Sequence, residues 1–480
     1  MNRRGFLKLL LTTLAGTPLS ACGSPLDLQP TPQATDNNPI VETQPTSPLA
    51  NDDLLWDVVI VGAGVAGLRA AQVLQQSGRR VLLLEARNRI GGRIWTEHRD
   101  GQPFDLGASW IHGARGNPIT AIADQLGATL VPTDYRDLKR FDAGGQPLSA
   151  DLDRRVEELL ERYFEQARKY AEGQKRDLSL QAALEFVLRA SPLSAQDLRL
   201  LNYAISTTFE HEYAADASRL SAWYFDERDA FGGGDAIFRQ GYRAIVDFLA
   251  RDLEIRLGHV VQRIGYDDGG VTLATAQGAW RAQAALVTAP LGVLQHGRIT
   301  FEPQLPAAKQ QALRRIAMGL LNKCYLVFPE VFWDANTLLG YAAEGKGEWA
   351  EWLNLDALLG APILLGFNAG AYAHALEAQS DLQTVAAAMQ TLRTMYGQGI
   401  PDPLQYRITR WAADPFALGS YSFLAVGAGP GDYDALAQPV GKRLFFAGEH
   451  THRDHPSTVH GAYLSGERAA DEILSSLKYA

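Results

Sequence analysis

The residues of this chain best able to do chemistry stand where plain folding rules would not put them. Residues 319–328, "GLLNKCYLVF", form an apolar, strand-like run that carries Lys323. Burying an ammonium strips its hydration and can depress its pKa by roughly 3–5 units, so Lys323 either reaches solvent or is needed where it is. Further upstream, "GAGVAG" spaces Gly62, Gly64 and Gly67 for a tight strand-to-helix turn, close backbone approach to a pyrophosphate, and close helix–strand packing. Glu85 ends the next apolar run, in position to accept both ribose hydroxyls and to disfavour a 2′-phosphate. FAD and NAD share that unit. "EARNRIGGRIWT" then adds a second glycine turn, Gly91-Gly92, with the Arg93 guanidinium beside it, suited to the remaining phosphate charge of a larger dinucleotide. His450, His452, His455 and His460 invite a zinc reading, but no cysteine lies near to complete a tetrahedral set, and no metal is expected.

These residues need elements to position them. From Trp56, "WDVVIVGAGVAGLRAAQVLQQSGRRVLLLEAR" predicts a buried parallel strand, a glycine turn, a helix with Leu68, Ala71 and Leu74 on its apolar face, and a second strand, which together make one βαβ unit. A helical region is expected at about 150–205, its charges spread over a wide solvated face. Alternating strands and a helix return over 241–290, several strands rich in Trp and Tyr over 320–368, a helix over 380–396, and a closing helix over 461–477. Strand alternation turns Lys323 to one side, and Asn322 and Cys324 to the other. No internal repeat is present.

A chain of 480 residues, 46% hydrophobic and 21% charged, is globular and too long for one ordinary core, so two packed domains are expected. The formal charge of −9 becomes −12 once a leader holding Arg3, Arg4 and Lys8 is removed, which argues against nucleic acid and suits cationic ligands. Residues 1–22, "MNRRGFLKLLLTTLAGTPLSAC", have the organisation of an export signal; they resemble a twin-arginine signal ending in a lipoprotein-like "LSAC", with Cys22 as the lipidated residue of a protein exported to the periplasm or the extracytoplasmic face of a membrane. Residues 23–54, rich in Pro, Thr, Asn and Gln and free of Lys and Arg, read as a disordered tether. The only other cysteine is Cys324, so a processed Cys22 leaves no intramolecular disulfide.

From about Trp56 to Leu474 the chain resembles the flavin-dependent amine oxidase superfamily, and within it the polyamine and spermine oxidases and the histone-lysine demethylases. Four ordered blocks carry the likeness: "DLGASWIHG" at 105–113, "LNKCYLVFPEVFW" at 321–333, "RWAADPFALGSYSF" at 410–423 and "LFFAGEHTHRDHPSTVHGAYLSG" at 444–466. The resemblance implies an α/β protein: a discontinuous, Rossmann-like FAD-binding domain of 55–130, 235–300 and 440–474, and a mixed-sheet plus helical substrate-binding domain of 131–234 and 301–439. It implies flavin contacts at Gly62, Gly64, Gly67, Glu85, Ala86, Arg87, Gly92, Arg93, Gly107, Ala108, Ser109, Val261, Trp411, Gly448, Glu449, Thr458 and Val459. Gly461 is expected to open the last helix, whose dipole would favour negative charge on the reduced ring. Monoamine oxidases attach flavin through a cysteine where this chain has Ser420, so FAD is expected to be noncovalent.

The reaction so implied is hydride removal from the carbon beside an amine nitrogen to flavin N5, hydrolysis of the iminium to an aldehyde, and reoxidation by O2 to hydrogen peroxide. Lys323 matches the lysine that holds a water against N5 in the family. Tyr421 matches an aromatic flank of the ring, where an electron-rich face can hold an amine. Thr458 replaces a second aromatic wall, which favours the polyamine or demethylase branch. His112 matches a histidine that orients the amine in polyamine oxidases, and a neutral imidazole there could accept an ammonium proton. Trp110 is expected to pack around the ring. Glu210, Glu212, Asp226 and Glu227 are candidates for pairing with distal ammonium groups. The leading expectation is an oxidase of spermine or spermidine; the rivals are a monoamine or L-amino-acid oxidase, the latter needing an arginine for the substrate carboxylate, and a noncatalytic flavin-binding protein.

Overall fold

The computed structural model describes residues 56–478. The export signal of 1–22, Cys22 and the 23–54 tether lie outside the described residues.

The strand Trp56–Val61 is covered on both faces, with Val58, Val59 and Ile60 fully buried, as an unbroken β-branched run requires. It pairs in parallel with Val81–Leu84 on one side and Gly278–Val287 on the other. The helix Val65–Gln76 makes the crossover and buries Leu68, Ala71 and Leu74, the face that periodicity predicts. This eight-stranded sheet runs from Ile255–Arg256 at one edge to Thr300–Glu302 at the other, and Leu444–Phe446 joins it beside Gly278–Val287. The closing helix Val459–Leu477 lies against Val65–Gln76 so tightly that a Cβ on Gly466 would stand 2.3 Å from the Ala66 carbonyl oxygen. It begins two residues before the expected Gly461, because the Thr458 hydroxyl accepts the Gly461 N–H and caps the first turn.

A second, six-stranded sheet has the order Gln405–Ile408, Leu321–Val327, Ile363–Ala369, Glu351–Asn354, Leu338–Tyr341, Leu138–Phe141. Its pairings are antiparallel except the last, which is parallel. Lys323 therefore sits on an interior strand. Cys324 points into one apolar cluster with Phe328 and Trp352, while Tyr325 points into another with Phe104 and Leu365, so the alternation expected around Lys323 holds. A short antiparallel sheet of Trp110–Ile111, Asp235–Phe238 and Leu130–Thr133 pairs Trp110 with Ile237 and Ile111 with Ala236, which brings His112 beside Asp235.

The helical region resolves into Ala150–Glu172, Leu180–Ala190 and Ala195–Ile205, each with a serine N-cap: Ser149, Ser179 and Ser194. The third helix runs into a π turn, Ser206–Glu210, and a last turn, His211–Tyr213. Single π turns inside helices are frequent at functional sites. Among the described residues no helix is long and apolar enough to cross a membrane.

Candidate active site

A cavity of about 1730 Å³ runs between the two large sheets, well above the roughly 300–1,000 Å³ of ordinary small-molecule sites and so with room for a dinucleotide and a substrate together. Its nucleotide end is built by the glycine turns. Gly62 adopts φ +103°, and a Cβ on it would meet the Thr288 hydroxyl at 2.7 Å. Gly64 lines the cavity, and a Cβ on it would have no protein atom within 4 Å, so the space beside its backbone is left for a ligand. Gly67 does not line the cavity; a Cβ there would lie 2.1 Å from the Gly62 carbonyl oxygen, which makes it the helix–strand packing glycine of the set. The second glycine turn touches the first, with the Cβ direction of Gly92 3.5 Å from Gly64 Cα.

Glu85 is buried and accepts the N–H groups of Ala63 and Arg87, each at 2.8 Å. Two of its roughly four acceptor positions are thereby used, and the rest remain for ribose hydroxyls. Ala86, Arg87 and Val261 line the same end, where Arg87 is locked in a two-point pair with Asp414 at 2.8 and 2.6 Å. These groups fit the adenosine and pyrophosphate of FAD. Arg93 and Glu449, each expected to face the cofactor separately, pair with one another at 2.8 Å, and Arg93 also donates to the Ser420 carbonyl. Glu449 accepts further from the Ser422 hydroxyl at 2.6 Å and the Ser457 N–H at 3.0 Å. Burial alone would raise its pKa, but Arg93 and the Ser422 hydroxyl outweigh it and hold the carboxyl below its ordinary value. Gly448 and Val459 line the cavity beside it.

Gly107, Ala108 and Ser109 form the floor near Lys323. A Cβ on Gly107 would be 1.9 Å from the Arg93 carbonyl oxygen, so only glycine allows the two loops to meet. Lys323 is buried and its ammonium donates to the carbonyls of Asp105 at 2.7 Å and Gly107 at 2.6 Å and meets the Ser109 hydroxyl at 2.5 Å. It does not snorkel to solvent. Burial pushes its pKa down to about 8, with the Asp105 charge pulling the other way. Three partners saturate an ammonium, so a water held by Lys323 has to displace one of them, and the rotatable Ser109 hydroxyl is the one able to yield. Trp411 lines the cavity and donates its indole N–H to the Leu106 carbonyl at 3.1 Å.

The substrate end is walled by Trp110, Phe367 and Tyr421. Trp110 stacks on His112 with centroids 6.5 Å apart, packs 5.9 Å from Phe367, and donates its indole N–H to the Thr133 hydroxyl. Tyr421 donates its hydroxyl to the His211 carbonyl at 2.8 Å. Thr458 lines the cavity, but its hydroxyl is spent on the His455 carbonyl and the helix cap. His112 presents its ring to the cavity and contacts Asp235 through Nδ1 at 2.9 Å. Burial would lower the His112 pKa, yet the Asp235 carboxylate overrides it and raises the value above the ordinary 6.5.

The acidic candidates divide. Glu212 lines the cavity and pairs with Arg228. Glu210 does not: its carboxylate is buried against Lys346 at 2.6 Å and the Ala217 N–H at 2.8 Å. Residues two apart on a helix point to different faces, so one of this pair had to turn away. Asp226 and Glu227 are exposed and off the cavity, and Asp226 accepts the Tyr213 hydroxyl. Asp235, His211, Arg228 and Phe367 line the cavity and were missed by sequence reasoning; the one signal for Asp235 was a carboxylate at the head of the apolar run "DAIF". Of the histidines in the last motif, His450 and His460 are buried and His452 and His455 half-buried. Burial keeps His450, His452 and His460 neutral, with pKa values of about 4, about 4 and about 2, and His460 Nδ1 meets the Asn117 amide at 3.2 Å.

A family model described as flavin containing amine oxidoreductase matches residues 65–474. Polyamine oxidase 2 of Arabidopsis thaliana is 36% identical over 433 residues, covering 86% of this chain and 87% of its own length. Protein FLOWERING LOCUS D and Lysine-specific histone demethylase 1 homolog 2, from the same plant, are each 38% identical and cover 88% of this chain. This chain spans only 56% and 59% of those two proteins. A solved structure of a redesigned putrescine oxidase superposes with a TM-score of 0.70 over 88% of this chain and 99% of its own, at 21% identity, which speaks to the fold.

Proposed function

The chain belongs to the flavin containing amine oxidoreductase family, takes FAD as its cofactor, and on that footing we propose that it is an oxidase of polyamines, with spermine or spermidine favoured. The observation that carries the substrate class is the state of Arg228. An L-amino-acid oxidase needs a guanidinium for the substrate carboxylate. Arg228, beside His112 and Tyr421 at the substrate end, is engaged by Glu212, feels the Asp226 charge, and lies 4.6 Å over the Tyr213 ring. The Glu212 carboxylate already meets the charge of this guanidinium, so a substrate acid gains little there.

Bound FAD supplies the hydride acceptor, and dioxygen takes the electrons on as hydrogen peroxide. The chain's own residues deliver the amine. Trp110, Phe367 and Tyr421 form an apolar slot for the methylene chain and offer ring faces to an ammonium. His112 accepts the proton of the reacting nitrogen at Nε2, so that a neutral amine is presented. Glu212 holds a distal ammonium. Lys323, buried beneath Gly107 and Ser109, orders a water at the reacting end by exchange with the Ser109 hydroxyl. The cofactor part is drawn from 55–130, 235–300 and 440–474, and the substrate part from 131–234 and 301–439. The protein works outside the cytoplasm, tethered through Cys22.

The test is anaerobic bleaching of the purified flavoprotein by spermine, spermidine, putrescine, a benzylic monoamine and an L-amino acid in separate cuvettes, with peroxide assayed on readmitting air. Rapid bleaching by the polyamines alone is expected. Bleaching by a monoamine or amino acid instead overturns the substrate class, and a flavin that none of them reduces leaves a noncatalytic flavoprotein.

A further inference from the structure

We propose that Asp235 is the positioning residue for His112: it holds the ring proton on Nδ1 and leaves Nε2 as the nitrogen presented to the amine. This rests on the reading of His112 as the acceptor of the amine's proton. The Asp235 side chain is fully buried at the head of the strand Asp235–Phe238. It accepts from the His112 ring at 2.9 Å, the Gly113 N–H at 2.8 Å and the Tyr135 hydroxyl at 3.0 Å. Gly113 takes one carboxylate oxygen while Tyr135 and His112 share the other, so the carboxylate cannot rotate away from the ring. Burial favours the protonated carboxyl, but His112, Gly113 and Tyr135 outweigh it, so Asp235 is an ionised acceptor and the bond needs a proton on Nδ1.

The other side of the ring is fixed as well. Trp110 stacks on it, and the Asn117 amide donates to the His112 carbonyl at 3.1 Å. The charged groups facing His112 come from three further elements: Glu212 after the π turn raises its pKa, Arg228 from the following loop lowers it, and His460 from the closing helix stays neutral. Asp235 dominates because its carboxylate hydrogen-bonds the ring directly, at 2.9 Å. A buried carboxylate that orients an imidazole sets both its tautomer and its basicity, the two properties a proton acceptor needs.

The experiment is a ¹⁵N titration of histidine-labelled holoenzyme, with His112 identified by its loss in His112→Gln, run beside the pH profile of kcat/KM for spermine. In the wild type the neutral ring should carry its proton on Nδ1 and titrate above 6.5. Asp235→Asn should move the midpoint down by roughly 1–3 pH units, redistribute the tautomer, and carry the acid limb of kcat/KM with it. Tyr135→Phe removes one donor, makes the carboxylate a stronger acceptor, and should move both up. Opposite shifts are not the mark of a merely structural role, which would lower kcat/KM equally at every pH. An unmoved midpoint and tautomer in Asp235→Asn overturns the inference. A midpoint that moves while the acid limb stays overturns the role of His112 in the reaction, and the placement of Asp235 with it, yet leaves the polyamine assignment standing. If Asp235→Asn does not retain flavin, Tyr135→Phe decides alone.

Discussion

Replacing Lys323 with methionine separates what its ammonium does for the reaction from what it costs the fold. Burial takes the pKa from 10.5 to about 8. At neutral pH both the folded and the unfolded chain carry the proton, and the native state bears the whole penalty: about 2.5 pH units at ~1.36 kcal/mol each, or about 3 kcal/mol. The folded pKa lies below the unfolded one, so the penalty is complete below about pH 8 and is relieved as pH rises from there to the unfolded value. Methionine removes the penalty. It also leaves the Gly107 carbonyl and the Ser109 hydroxyl without their donor, at roughly 1–3 kcal/mol each, whereas the Asp105 carbonyl keeps the Tyr325 hydroxyl at 2.8 Å. At pH 7 the two effects nearly cancel, and Lys323→Met should lie within about 2 kcal/mol of the wild type, with FAD retained. Toward pH 10 the wild type should gain on the variant by up to about 3 kcal/mol. Urea unfolding at matched flavin content, at pH 7 and pH 10, reads this, and anaerobic stopped flow reads the chemistry. The rate of flavin reduction or reoxidation should fall roughly 10²–10³-fold, the size of losing one preorganised polar group. A stability difference that ignores pH refutes the burial argument; unchanged rates in both half-reactions refute the role.

Two more substitutions probe the cofactor end. Gly67→Ala puts a methyl 2.1 Å from the Gly62 carbonyl oxygen, which is backbone and cannot step aside, so the protein should purify with little FAD and unfold at lower temperature; full flavin content and an unchanged Tm would contradict the packing role. Glu449→Gln breaks a buried pair with Arg93 and should cost roughly 3–5 kcal/mol at pH 7 by denaturant unfolding. Because Arg93 and its neighbours hold the Glu449 carboxyl below the usual carboxylate range, its contribution is present above the unfolded pKa and lost as pH falls through the lower native one. The two proteins should therefore converge as pH falls below the ordinary carboxylate range, and a gap that persists in acid contradicts the charge pairing.

What could be read from the chain divides by distance along it. The glycine turns and Glu85 lie within one βαβ unit, where backbone sterics and a strand-end carboxylate leave few alternatives, and the structure puts Glu85 on the Ala63 N–H inside the first turn. The Arg93–Glu449 pair spans 356 residues and the His112–Asp235 pair 123; no local pattern relates such partners, and Asp235 looks like the first residue of any strand until Gly113 and Tyr135 close around it. Glu210 and Glu212 are the instructive miss. Their charge suggested a shared role, yet positions two apart cannot share a face. The π turn that ends at Glu210 sends one carboxylate to Lys346 and the other to the cavity.

Lys323 was legible for a different reason, that its position is expensive. A polar residue on a solvated face says little, because nothing opposes it there. An ammonium on an interior strand survives selection only against a standing penalty of about 3 kcal/mol, a large share of the roughly 5–15 kcal/mol that keeps a domain folded. The same burial penalty falls on Asp235, fully buried and yet charged, and on Glu449, nearly so. Each of the three is stabilised by donors or acceptors that come from other segments of the chain: Asp105, Gly107 and Ser109 for the lysine, Gly113 and Tyr135 for the aspartate, Arg93 and Ser422 for the glutamate. Buried charges that a fold tolerates only by building a dedicated shell around them mark the places where the chain is shaped for something other than its own stability, and here all three lie along or against the wall of one cavity.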